Sequence, residues 1–65
     1  MKVKTLLEVT FLWGRFHVHE AVYKDRVRPV GYFTKAEMEE FNDYIVRYVQ
    51  PDGDDIYIEI EEEEE

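Results

Sequence analysis

The stretch Asp52-Gly-Asp-Asp-Ile-Tyr-Ile-Glu-Ile-Glu-Glu-Glu-Glu-Glu65 decides how the rest of the chain is read. It opens as a turn, continues as an apolar/acidic alternation and closes on five consecutive glutamates. Successive side chains of a strand point to opposite faces. Ile56, Ile58 and Ile60 are therefore expected to bury one face, with Tyr57, Glu59, Glu61 and Glu63 on the other. Alternate strand positions lie about 6.7 Å apart. The alternation thus predicts a ruler of carboxylates fixed to a core by isoleucines, followed by a mobile acidic tail over 62–65.

A chain of 65 residues holds one domain, expected here over 1–61. A domain of that size buries only about 60% of the surface its unfolded form exposes. No cysteine is present to staple it, and two histidines without a thiol do not make a common structural zinc site. Aromatic area is the remaining resource: five Tyr, four Phe and one Trp, enough for a small core and an interface. No segment approaches the roughly 20 apolar residues of a membrane span. Glu8 directly after Leu6-Leu7 interrupts any signal-like apolar region. A soluble intracellular protein is expected.

Charge is divided along the chain. Residues 1–36 carry seven bases against three acids, a net of +4; residues 37–65 carry thirteen acids against Arg47 alone, a net of −12. Such a field attracts cationic partners and opposes direct binding to nucleic acid or anionic lipid.

Upstream, Val3 to Trp13 is rich in Val, Leu, Thr and Phe and reads as a first strand. Gly14-Arg15 is a short turn, and Phe16 to Tyr23 a second strand. Lys24 to Gly31, with Pro29 and Gly31, reads as a connection. Thr34-Lys-Ala-Glu37 has the form of a capping box. Met38, Phe41, Ile45, Tyr48 and Val49 follow at steps of three and four, which predicts a helix over 35–49. Pro51-Asp-Gly53 turns the chain into the last strand. The expected fold is α+β: strand, strand, helix, strand, in a three-stranded antiparallel sheet of order 2-1-3 with one helix on one face. A parallel pairing of the last strand with the second is the alternative. The sheet's other face is then polar or buried by a second copy, and Leu6, Leu12 and the surplus tyrosines favour a homodimer.

Catalysis finds little support. There is no cysteine or serine nucleophile and no glycine-rich phosphate loop, and among the acids only Glu20 has an apolar context. His17-x-His19 places two imidazoles on one strand face but lacks a third ligand. Asp52-Gly-Asp-Asp55 begins like a calcium loop, yet its glycine comes second and Ile-Tyr-Ile follows at once, so it reads as a turn. No enzyme, cofactor or metal is expected. The bases Arg15, Lys24, Arg26 and Arg28 are expected to pair with the chain's own acidic half or with the acidic half of a partner copy.

The acids remain. Glu39, Glu40 and Asp43 on the expected helix, Asp52, Asp54 and Asp55 on the turn, and Glu59, Glu61 and Glu63 beyond it form the expected partner-binding set. Carboxylates on a rigid scaffold present a charge density comparable with duplex phosphates, spaced at about 3.4 Å per strand. In its acidic run Asp54 to Glu65, its size and its expected element order, the chain resembles small phage-encoded DNA-mimic proteins, among them the inhibitor of the bacterial histone-like protein HU. That resemblance implies a non-enzymatic inhibitor in the host bacterial cytoplasm that occupies the basic DNA-binding cleft of an HU-like nucleoid protein. Other targets of such mimics are uracil-DNA glycosylase, restriction enzymes and CRISPR effectors. The competing expectation is an interaction module for another host protein, such as transcription machinery, whose acids only solubilise it.

Overall fold

The computed structural model describes residues 1–9, 14–23 and 26–63. Helix α1 (Val3–Val9) is followed by strands β1 (Phe16–Tyr23) and β2 (Arg26–Phe33), a 3-10 turn (Glu37–Phe41), and strands β3 (Ile45–Asp52) and β4 (Asp55–Glu61). The four strands form one mixed sheet in the order β2-β1-β4-β3. Pairing is antiparallel at both outer positions and parallel between β1 and β4. The α+β class is as expected, and so are the strands at Phe16–Tyr23 and after Gly53. The three-stranded antiparallel sheet is corrected to four mixed strands. The last strand lies parallel to the one beginning at Phe16, which was the alternative pairing.

Three elements differ from expectation. Val3–Val9 is helical rather than extended, because Val3 and Leu7 share a helix face and are both buried. Its first N–H groups, which have no partner inside a helix, find the carbonyls of Tyr44 (from Val3, 2.9 Å) and Asn42 (from Lys4, 3.2 Å). Residues 10–13 of the expected first strand lie outside the described residues, as do Lys24 and Asp25. The expected connection is largely strand β2: it is an edge strand, where proline is tolerated, and Pro29 sits at a register shift opposite His19. The expected helix over 35–49 stops after the short 3-10 turn, and its second half is β3.

The capping box itself forms. Thr34 N–H donates to Glu37 Oε1 (2.9 Å) and Glu37 N–H donates to Thr34 Oγ1 (3.3 Å). The Thr34 backbone N–H first, and then the Thr34 hydroxyl, hold the Glu37 carboxyl below the ordinary glutamate range. A carboxyl lowered on folding stabilises the protein above its unfolded-state pKa, and that contribution is lost as pH falls through the folded value. Glu37→Gln is therefore expected to lower the urea midpoint at neutral pH and to match the parent once acid has protonated Glu37. An equal difference at both pH values would contradict this.

The core lies between one sheet face and the α1/3-10 layer, and consists of Val3, Leu7, Phe16, Val18, Met38, Ile58 and Ile60. Phe33 folds back onto the 3-10 turn, its ring 5.2 Å from Phe41 and nearly perpendicular to it. The β3–β4 hairpin closes through Gly53-Asp54 between the paired Asp52 and Asp55. A positive φ of 65° at Gly53 and none at Asp54 fits a type II′ turn, which places glycine first. Gly14 lies against this hairpin. A Cβ there would stand 2.1 Å from the Asp54 carbonyl oxygen and 2.3 Å from Asp55 Oδ1. Gly14→Ala is expected to cost about 1–3 kcal/mol by displacing the hairpin, as overpacking does; an unchanged denaturation midpoint would show that the contact yields freely.

Candidate interaction surface

Alternation along β4 sorts its side chains. Ile58 and Ile60 are fully buried and Ile56 packs on the core. Asp55, Tyr57, Glu59 and Glu61 occupy the alternate positions of the same strand, which belong to the sheet face away from that core. The expected ruler therefore exists as geometry. Its carboxylates, however, are engaged within the chain. Asp55 Oδ1 accepts the Arg15 N–H (2.7 Å), and Glu59 Oε2 accepts the Tyr57 hydroxyl (3.0 Å). Glu61 lies 3.9 Å from Arg47 Nε, and Glu63 3.0 Å from Lys2 Nζ. The Glu63 hydrogen bond is the main cause that raises the Lys2 pKa above its ordinary value. Exposed pairs of this kind contribute only about 0–1 kcal/mol each. Their consequence is electrostatic: part of the ruler's charge is already answered.

The other candidate acids are freer. Glu39 and Glu40 on the 3-10 turn, Asp43 after it, and Asp52 and Asp54 at the hairpin are all exposed. None of these five has a cation within 4.0 Å among the described residues. The β3–β4 register divides the set between two ends of the sheet. Ile45 pairs with Glu61 at one end and Asp52 with Asp55 at the other. Six steps along the unbulged strand β4 separate these ends, roughly 20 Å at the usual rise. The first end gathers Glu39, Glu40, Asp43, Glu61 and Glu63; the second holds Asp52, Asp54 and Asp55. Desolvation first, and then the charges of Glu20 and Glu62, push the Tyr44 hydroxyl above its ordinary pKa. The nine expected residues thus form two acidic poles joined by Glu59, not one continuous ladder.

The bases follow a different plan from the one expected. Arg28 pairs with Glu20 on the neighbouring strand (Nη2 to Oε1, 2.7 Å), inside the N-terminal half. Arg15 lies with its guanidinium carbon 5.0 Å above the centre of the Tyr32 ring. Lys2 and Arg47 are the described residues that pair with acids of the last strand and its extension. Arg26 on the edge strand β2 has no ion pair among the described residues.

An aromatic band crosses the same open face. Tyr32 stacks on His17 (4.2 Å, 6°), and His17 meets His19 (4.5 Å) and Tyr57 (5.8 Å) edge-on. Tyr57 in turn lies 4.8 Å from His19 and 6.1 Å from Tyr48, whose hydroxyl donates to Gln50 Oε1. The band thus reaches every strand from β2 to β3. His19 Nδ1 is shut from solvent within it and has no hydrogen-bond partner among the described residues, an arrangement that stability alone does not favour. Sequence pattern does not reveal the band: Tyr32 reads as a staple ahead of the Thr34 capping box and Tyr48 as part of a helical stripe. The signal that points to Tyr48 is the strand composition of Ile45-Val-Arg-Tyr-Val-Gln50.

Among the described residues no group of three or more His, Asp or Glu is placed to hold a metal ion. A shallow groove of about 560 Å³ runs between α1 and the 3-10 turn, bordered by Leu7, Glu8, Lys35 and Glu39. No described helix is long and apolar enough to cross a membrane. What remains distinctive is an open sheet face that carries both aromatic rings and carboxylates. No family model, curated protein or solved structure matches the chain.

Proposed function

We propose that this protein is a non-catalytic competitor of DNA: its acids engage the basic DNA-binding surface of a bacterial nucleoid protein of the HU kind. The observation that carries the reading is the set of exposed acids with no cation within 4.0 Å among the described residues, Glu39, Glu40, Asp43, Asp52 and Asp54, held on the 3-10 turn, the residues after it and the hairpin turn. The net charge of −8 makes approach to a basic surface favourable over long range and approach to DNA unfavourable. Two poles roughly 20 Å apart span the axial distance of several phosphates. A partner that reads backbone charge and not base sequence would accept such a substitute. The direct test is displacement: purified protein titrated into a mixture of HU and labelled duplex DNA releases the DNA. Undiminished DNA binding at saturating protein would rule the reading out.

A further inference from the structure

The open sheet face holds a feature that the acids alone do not explain. One tyrosine of the aromatic band already carries a guanidinium: Arg15 sits over Tyr32 at 5.0 Å. At the opposite edge Tyr48 is just as accessible, 47% exposed against 49% for Tyr32. Tyr48 pairs in register with Glu59, so ring and carboxylate stand side by side on adjacent strands. Glu59 uses Oε2 for the Tyr57 hydroxyl, and the neighbouring base of the chain, Arg47, is directed to Glu61. We propose that Tyr48, Tyr57 and Glu59 form a seat for an arginine side chain of a basic partner, with the guanidinium stacked on Tyr48 and hydrogen-bonded to the Glu59 carboxylate.

The chemistry favours arginine over lysine. A planar guanidinium stacks on an aromatic face and donates to a carboxylate at the same time, whereas an ammonium is a compact, strongly hydrated point charge. Other occupants fit less well. Bases stack on aromatic platforms in grooves that are positively charged, and Glu59 and Glu61 give this face the opposite sign. A second copy would bring another −8 against it. Added strands are obstructed at both edges, by Pro29 in β2 and Pro51 in β3, each strand also carrying a register irregularity.

The inference rests on the reading of a basic partner and sharpens it to one side chain, and the two can fail separately. The full-length protein, isotope-labelled, is titrated with hexa-arginine and with hexa-lysine at low salt. The expected result is about fivefold tighter binding of the arginine peptide, with shifts of the Tyr48 and Tyr57 ring signals. In Tyr48→Ile, which keeps a strand-forming residue, the preference falls to about onefold while lysine binding is retained. Equal affinity for the two peptides, or shifts confined to the hairpin and the 3-10 turn, would overturn the arginine seat and leave the acidic reading standing. Failure of both peptides to bind would overturn both. Self-association in sedimentation that shields the Tyr48 ring would assign the face to a second copy and overturn the seat.

Discussion

Ile58→Ala is expected to bring the protein to the edge of unfolding at room temperature. Ile58 is fully buried in β4, an inner strand, and faces Val18 on β1 and Val49 on β3 across the sheet. Truncating a fully buried isoleucine costs about 2–5 kcal/mol, the lost transfer energy plus the cavity left behind. At 0.05–0.15 kcal/mol per residue, a chain of this length has roughly 3–10 kcal/mol in total. The far-UV circular dichroism melt should therefore shift down strongly or lose its cooperative transition. Glu59→Gln, one residue along and on the other face, should move stability by no more than about 0.5 kcal/mol. If the two variants melted together, β4 would not be anchored by its isoleucines, and the turn acids would lose their rigid support.

The second large effect concerns binding. Replacing Glu39, Glu40, Asp43, Asp52 and Asp54 with their amides should weaken competition against DNA by about fivefold to several-thousandfold, at about 0.2–1 kcal/mol for each exposed pair with the partner. The fold should survive, since none of the five pairs with a cation of the chain among the described residues. Glu59, Glu61 and Glu63 changed together to Gln should cost less, because each gives up a partner it already has. The comparison is made in the displacement titration. A larger loss from the strand triplet than from the turn quintet would return the principal role to the ruler.

Much of the closing segment was legible in the sequence, for physical reasons. Strict alternation from Ile56 to Glu61 has one structural solution, and Gly53 between aspartates marks the turn. The stretch before it was misread because of a bulge. The β3–β4 register slips between Val46 and Tyr48, so Ile45 and Tyr48, opposite Glu61 and Glu59 on one sheet face, are three apart, a step that imitates a helix. A true capping box at Thr34 strengthened the error: it starts a turn, and the β-branched run after Asp43 ends it. At the start, β-favouring composition outweighed the four-residue step from Val3 to Leu7, which was the better guide.

The surface divides the same way. Which residues bear charge is written in the chain; which charges are answered depends on distant pairing. Lys2 reaches Glu63 because residues at the chain's start bridge to the start of β3, Lys2 to Ile45, beside the end of β4. No local pattern reports a contact between residues so far apart. The aromatic band needs all four strands in register, an arrangement that no local pattern reports.

The measurement that bears most directly on the competitor reading is the dissociation constant for HU as a function of salt. Charges presented in place of phosphates should lose affinity by about tenfold or more between 50 and 200 mM salt, with a linear logarithmic plot. The turn quintet should flatten that slope. An affinity that stays constant over the same range would contradict the account and describe a module that docks through its aromatic face, with acids that serve only to keep it in solution.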